Sequence, residues 1–314
     1  MFSVIIPVYN GEKFVETAVQ SVIGQTFSEW ELVIVNDGST DNTAEILKKY
    51  NDNLKIKVIT QKNGGVSAAR NTGIENSIGE YIAFLDCDDL WKSNHLETLT
   101  QMIDKYPNAG LYATFSEINL VNGNTITKCD YFKNKPETVY IEDFFEEYNK
   151  DKSAKIYNPS SACISREAAI KAGGFPIGCK IGEDLAYFFI ISAYFPVVLS
   201  SKATAVYEKV NSVATKDVSF DPDWYFFEEV KNLLCDTEIN EEKRKNLAET
   251  MQWFQMRRSR HYMIDGKRKQ AIEAYRSIGK SKNLKKDKFF TLILLCLPSA
   301  LVKKIFLIRW RSQA

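Results

Sequence analysis

The chain is poor in the residues that build metal and disulfide frameworks. Its 314 residues include two histidines, His95 and His261, and six cysteines, at positions 87, 129, 163, 179, 235 and 296. No C-x-x-C pair or Cys/His cluster occurs, which argues against a structural zinc site or disulfide scaffold and fits reduced thiols in the cytosol. Long apolar runs are also missing: the longest, residues 289–302, covers 14 positions and contains Pro298, whereas a membrane-crossing helix needs about 20. No basic leader or small-residue cleavage site accompanies "FSVIIPV", so that stretch reads as a first strand and not as a secretion signal. Glycine is sparse where a phosphate loop would need it, since "VYNGEKF" holds one.

Hydrophobic residues make up 45% of the chain, enough for one substantial core and a smaller appended unit. The net charge of +1 conceals an asymmetry. Residues 241–314 carry 19 Lys+Arg against 6 Asp+Glu, and the first 240 carry 22 against 34, so the two regions are expected to meet different partners.

The first half alternates short β-branched runs with helical stretches: "FSVIIPV", helix 12–25, "WELVIVN", helix 41–50, "KIKVIT", helix 65–77 and "EYIAFLD". Near-continuous apolar strands separated by helices predict an α/β fold with a mostly parallel, Rossmann-like sheet flanked by helices. Further on, the patterning predicts a strand over 110–117, a turn at 122–124 and helices near 141–149 and 166–172. From about 222 the composition turns to basic, aromatic-containing helices, which divides the chain into 1–220, a basic helical region 221–284 and a tail 285–314.

In such sheets ligands bind beyond the carboxyl ends of the strands. Three strands end there in polar clusters: Tyr9 and Asn10, Asn36 and Asp37, and Asp86 to Asp89. The D-x-D of "FLDCDD" suits a divalent cation through hard oxygen ligands, and equally suits the dipole at the start of a helix near 93. Asp37 in "NDGSTDNT" can accept from a nucleobase or a ribose hydroxyl, or build an ordinary Asx turn. Arg70, on a small-residue helix after Gly64-Gly65, can reach a pyrophosphate or stay solvated. Glu183 and Asp184 offer a base for an attacking hydroxyl, or a helix-start acidic pair.

Taken together, "SVIIPVYN", "VNDGSTDNT", "NGGVSAARNTGI", "FLDCDD" and "GGFPIGCKIGED" resemble, in order and spacing, a family 2 glycosyltransferase of the GT-A fold over about residues 3–185. The resemblance implies an inverting transfer from a nucleoside-diphosphate sugar, a UDP-sugar foremost, to a hydroxyl of a glycan or lipid-linked acceptor, in cell-surface polysaccharide or glycolipid synthesis. It implies that Pro7, Tyr9 and Asp37 surround base and ribose, Arg70 lies near the diphosphate, Asp86 contacts the ribose side and Asp88 binds a divalent metal, Mg2+ or Mn2+. Asp184 would be the base, with Glu183 placing the acceptor; apart from the resemblance, Asp89 is expected to cap the following helix. Many relatives carry a Tyr-Arg-x-His segment whose histidine completes the metal shell; here the corresponding "YEKVNSVAT", 207–215, has none. His95 and His261 are expected in helices outside the chemistry.

Two alternatives stand beside this. A degenerate member would bind nucleotide sugar, or organise a membrane assembly, without turnover. A nucleotidyltransferase is disfavoured by the missing glycine-rich loop. Lys285, Lys286, Lys288, Lys303, Lys304, Arg309 and Arg311 flank the 289–302 stretch, which suits a helix lying on anionic lipid, or a core helix with solvated basic ends. The first reading places the protein in the cytoplasm, peripheral to the inner face of the cell membrane; no nucleic-acid partner is expected.

Overall fold

The computed structural model describes residues 1–120, 123–127, 129–154, 158–179, 182–208, 226–279 and 284–311. The expected boundary near 220, Asn122 of the predicted turn, and all but Tyr207 and Glu208 of "YEKVNSVAT" lie outside the described residues.

In chain order the elements are β1 (Phe2–Val8), α1 (Val15–Ile23), β2 (Trp30–Asn36), α2 (Thr43–Lys48), β3 (Ile56–Thr60), α3 (Val66–Glu75), β4 (Tyr81–Phe84), β5 (Leu90–Trp91), α4 (His95–Lys105), β6 (Leu111–Asn119), β7 (Thr125–Ile126), β8 (Thr138–Ile141), α5 (Phe144–Lys150), β9 (Ala162–Ser165), α6 (Arg166–Ala172), α7 (Glu183–Tyr194) and β10 (Val197–Glu208). The helices α8 (Phe226–Leu233), α9 (Glu241–Ile264), α10 (Arg268–Arg276), α11 (Lys285–Cys296) and α12 (Ser299–Arg311) follow. The strands form one mixed sheet of order β3-β2-β1-β4-β9-β6-β10-β5, with β7 on β6 and β8 on β10. The β3-β2-β1-β4 half is parallel, as the apolar runs predicted. Short β9 then inserts antiparallel between β4 and β6, and β6 and β10 run parallel.

Alternation along β1 explains the two-sided core. Val4, Ile6 and Val8 join Val15, Val19 and Val22 of α1 and Leu96 and Leu99 of α4 on one face. Ile5 faces the opposite cluster with Phe84, Leu111 and the aromatic side chains of α5 and α7. Helix α3 approaches β1 closely because of Gly73, where a Cβ would lie 2.4 Å from Ile5 Cγ2. Pro7 is tolerated in this central strand for a register reason. Ile5 O accepts from Leu85 N, so odd-numbered residues of β1 face β4, whose pairing stops at Ile5↔Phe84. The N–H that Pro7 lacks would therefore point beyond the ladder.

Phe227, Val230, Leu247, Met251 and Phe254 of α8 and α9 join the same apolar cluster as α5 and α7. The tail is two helices and not the single one expected, because the helix stops at Leu297 before Pro298; the residue before a proline disfavours the helical region, and proline cannot donate to the preceding turn. No described helix is long and apolar enough to cross a membrane.

Candidate active site

The loops at the carboxyl ends of β1, β2 and β3 are knitted together by side-chain caps. Asn10 adopts a left-handed backbone, φ 50°, and its Oδ1 accepts from Thr40 N at 2.8 Å. Asp41 accepts from Glu12 N, and Glu12 in turn accepts from Asn42 N. Asn36 makes the Asx turn, accepting from Ser39 N at 3.0 Å. Gly38 completes it with φ 70°, and a Cβ there would fall 2.8 Å from Asn63 N. Tyr9 stands out from this scaffold, 52% exposed.

Asp37 is buried at its base. Its carboxylate accepts from Gln61 Nε2 at 2.7 Å, Gly64 N at 2.9 Å and Gly65 N at 2.8 Å. The residue therefore shapes the Gly64-Gly65 loop that leads into α3, a role its local sequence did not disclose.

Arg70 is buried on α3, not solvated. Its Nη2 donates to Asp86 Oδ1 at 2.8 Å and its Nη1 to Glu183 Oε1 at 3.0 Å. The guanidinium lies over the Phe175 ring, 5.0 Å from its centroid, and Nε has no partner among the described residues. Burial opposes its charge, but Asp86, Glu183 and Asp184 outweigh that and raise its pKa. The start of α7 is thereby tied to the end of β4. Burial and the Asp184 charge push Glu183 upward despite Arg70. Beside it, Asp184 accepts from its neighbour's backbone, Leu185 N, at 2.7 Å.

The acidic turn after β4 is the most strongly charged part of the site. Burial, then the Asp86 charge, push Asp88 up to about 6 and Asp89 up to about 8. Asp88 makes no ion pair among the described residues. Asp89 does not cap the following helix, contrary to expectation. Leu90 and Trp91 form β5 against β10 instead, and α4 begins four residues after them with Asn94 at its cap. Asp89 is buried, accepting from Ser160 Oγ at 2.5 Å and Glu208 N at 3.1 Å.

His95 lies in α4, stacked on Trp91 with centroids 4.2 Å apart, and its Nδ1 is 2.8 Å from Thr204 Oγ1. Burial lowers its pKa to about 3. His261 lies in α9. Among the described residues no cluster of three or more His, Cys, Asp or Glu is arranged to hold a metal ion. Asp86 and Asp88 nevertheless fit a hard cation in donor chemistry: two neighbouring carboxylates, one of them held partly desolvated and, among the described residues, with no protein cation against it.

A sheet of this order, with acidic and polar loops gathered at its carboxyl ends, is the GT-A fold of glycosyltransferases. Structures that share it include S. aureus TarS 1–349 in complex with UDP, with TM-score 0.69, 22% identity and coverage of 100% of this chain and 92% of that one. Another is the mannosyltransferase PcManGT from Pyrobaculum calidifontis in complex with GDP-Man and Mn2+, with TM-score 0.59, 15% identity and coverage of 96% and 86%. The chain belongs to glycosyl transferase family 2, whose model matches residues 3–173. It is 36% identical over 188 residues to glycosyltransferase GlyA of Streptococcus pneumoniae serotype 4, which spans 58% of this chain and 26% of GlyA. It is 35% identical over 127 residues to an Escherichia coli protein named UDP-Glc:alpha-D-GlcNAc-diphosphoundecaprenol beta-1,3-glucosyltransferase WfgD, spanning 40% and 49% of the two chains. The chain thus spans about a quarter to a half of these relatives.

Proposed function

We propose that this glycosyltransferase moves a sugar from a nucleoside-diphosphate sugar to a hydroxyl of a glycan or lipid-linked acceptor, with inversion at the anomeric carbon. The observation that carries the reading is the Arg70 bridge. One guanidinium joins the carboxylate on the donor side, Asp86, to the acidic pair that opens α7, so donor and acceptor chemistry meet across one buried cation.

Exposed Tyr9 offers a face for stacking on the base, with Pro7 and the Asp37-braced loop around base and ribose. Asp86 meets the ribose side, and Arg70 supplies positive charge near the diphosphate. Asp184 takes the proton from the acceptor hydroxyl as it attacks, while Glu183, fixed by Arg70, lines the acceptor's approach. Holding donor and acceptor in line lowers the entropic part of the barrier. A divalent ion, Mg2+ or Mn2+, would be held by Asp88 with Asp86 beside it; when bound, it neutralises charge on the departing phosphate.

The GT-A neighbours in complex with UDP and with GDP-Man and Mn2+ support a nucleotide donor and a cation. A relative named for a diphosphoundecaprenol substrate supports a lipid-linked acceptor in polysaccharide synthesis. The tail supports a site of action at the cytoplasmic face of a membrane, because α11 is apolar on two sides. Thr291, Leu294 and Leu295 turn inward, the two leucines meeting Tyr262, Met263 and Ala271. Phe289, Leu292 and Ile293 stay exposed, as does Leu301 of α12, between the exposed lysine pairs 285–286 and 303–304. This arrangement supports the reading of a tail that rests on anionic lipid.

The test is a screen of UDP- and GDP-sugars, with and without Mn2+, scored by donor hydrolysis and thermal shift. Metal-dependent turnover of a subset is expected. Binding without turnover, with every lipid-linked and glycan acceptor offered, would favour a degenerate nucleotide-sugar-binding protein.

A further inference from the structure

We infer that Ser160 is a positioning residue for the acidic turn: through one hydroxyl it sets the spacing of Asp86 and Asp89, and so the aim of Asp88 between them. The inference rests on the reading of Asp86 and Asp88 as the donor-side carboxylates.

Ser160 is 74 residues from Asp86 in sequence and buried at its end of the sheet. Its hydroxyl has a single proton, which is donated to Asp89 Oδ2 at 2.5 Å. That leaves lone pairs, and one accepts the N–H of Asp86 at 3.1 Å. The first and last residues of the acidic turn are therefore read by the same oxygen, while the turn closes internally from Asp89 N to Asp86 O at 3.0 Å. The carbonyl of Ser160 accepts from Trp91 Nε1 at 2.6 Å, which fixes the strand just beyond. Glu208 N, at the end of β10, supplies the second bond to Asp89 at 3.1 Å.

Ser160 is itself held rigidly. It lies in the single helical turn Pro159–Ser161, which has a reciprocal capping box: Asn158 accepts from Ser161 N, and Ser161 Oγ accepts from Asn158 N. This turn leads directly into β9, the antiparallel strand wedged between β4 and β6. A position fixed by the sheet is thus transmitted to a loop that must hold like charges together. Among the described residues no other side chain braces Asp88, so its placement depends on the neighbours on either side of it. Groups that orient a ligand carboxylate without touching the ion typically change metal affinity or activity by about 10- to 100-fold.

The experiment compares wild type with Ser160→Ala, Ser160→Thr, Asp89→Asn and Asp88→Ala by calorimetric titration of Mn2+ with UDP or GDP, whichever the wild type binds. Melting temperatures confirm folding. Ser160→Ala should weaken Mn2+-dependent nucleotide binding about 10- to 100-fold and raise the donor KM more than it lowers kcat, and Ser160→Thr, which keeps the hydroxyl, should recover most of the loss. If Ser160→Ala does not fold, Asp89→Asn carries the test, since it leaves one oxygen where Asp89 uses two to accept from Ser160 and Glu208, and should weaken binding in the same direction. Wild-type affinity in a folded Ser160→Ala or Asp89→Asn variant, with Asp88→Ala defective, overturns the inference alone. Wild-type affinity in Asp88→Ala, or no binding of either nucleotide by the wild type, overturns the underlying reading of the site.

Discussion

Arg70 on α3 and Glu183 at the start of α7 are paired at 3.0 Å across 113 residues of sequence, with only 3% and 14% of their side chains exposed. The pair joins the parallel half of the sheet to the helix that carries Asp184, and Asp86 completes it on the other fork of the guanidinium.

Removing the cation leaves Glu183, 14% exposed, and Asp86, 29% exposed, without the guanidinium they share. Breaking such a buried pair from one side costs about 3–5 kcal/mol, so Arg70→Met should lower the urea midpoint sharply. Arg70→Met combined with Glu183→Gln should recover part of the loss, because fewer unpaired charges remain. Equal stability of the single and double variants would show that the bridge does not couple the two elements.

Asp184→Asn keeps the shape of the α7 terminus and removes the proton acceptor. Transfer should fall by about 10²- to 10⁴-fold, the usual contribution of a general base, while nucleotide affinity measured by calorimetry changes little. Undiminished transfer would assign the proton to another group.

Stability should fall in acid partly through His95. Its folded pKa is lowered to about 3 by burial, against about 6.5 in an unfolded chain. Between these values the unfolded state binds more protons, so this contribution is fully present above about 6.5 and is lost as pH falls toward 3. Urea melts at pH 7 and pH 5 should show a smaller difference for His95→Asn, which can still meet Thr204, than for wild type.

The outward face of α11 should bind anionic bilayers. Phe289→Ser with Ile293→Ser, both at exposed positions, should reduce co-sedimentation with phosphatidylglycerol vesicles and leave the melting temperature near wild type. Lys285→Gln and Lys286→Gln should each weaken it about fivefold at low salt. Unchanged sedimentation would assign the face to a protein contact.

Much of the site was legible because parallel strands deliver their loops to one edge. "VYN", "VNDGST" and "FLDCDD" each follow an apolar run, and each lies where the sheet ends. The role of Asp37 was less legible: its motif suggests a ligand, whereas its carboxylate is bound to Gln61 and two glycine amides. Asp89 misled for a related reason. An acidic residue before a helical stretch suggests a cap, but a two-residue strand intervenes and sends the carboxylate inward to Ser160. The Asn-Pro of "NPSS" signals a turn, but no local pattern connects it to a charge cluster far upstream. The tail's split at Pro298 follows from a single residue whose local effect outweighs the apolar run on both sides of it.

The amino-acid sequence by itself determined the α/β class, the family, the order of polar loops along the parallel half of the sheet and the basic character of the last third. Those follow from periodicity and residue chemistry, which are local. Only the tertiary structure decided that Arg70 is buried between two carboxylates, that β9 inserts against the parallel direction, and that Ser160 grips both ends of the acidic turn. These depend on which distant segments come to share low-dielectric space, where a desolvated charge or hydroxyl must find a partner whatever its separation along the chain.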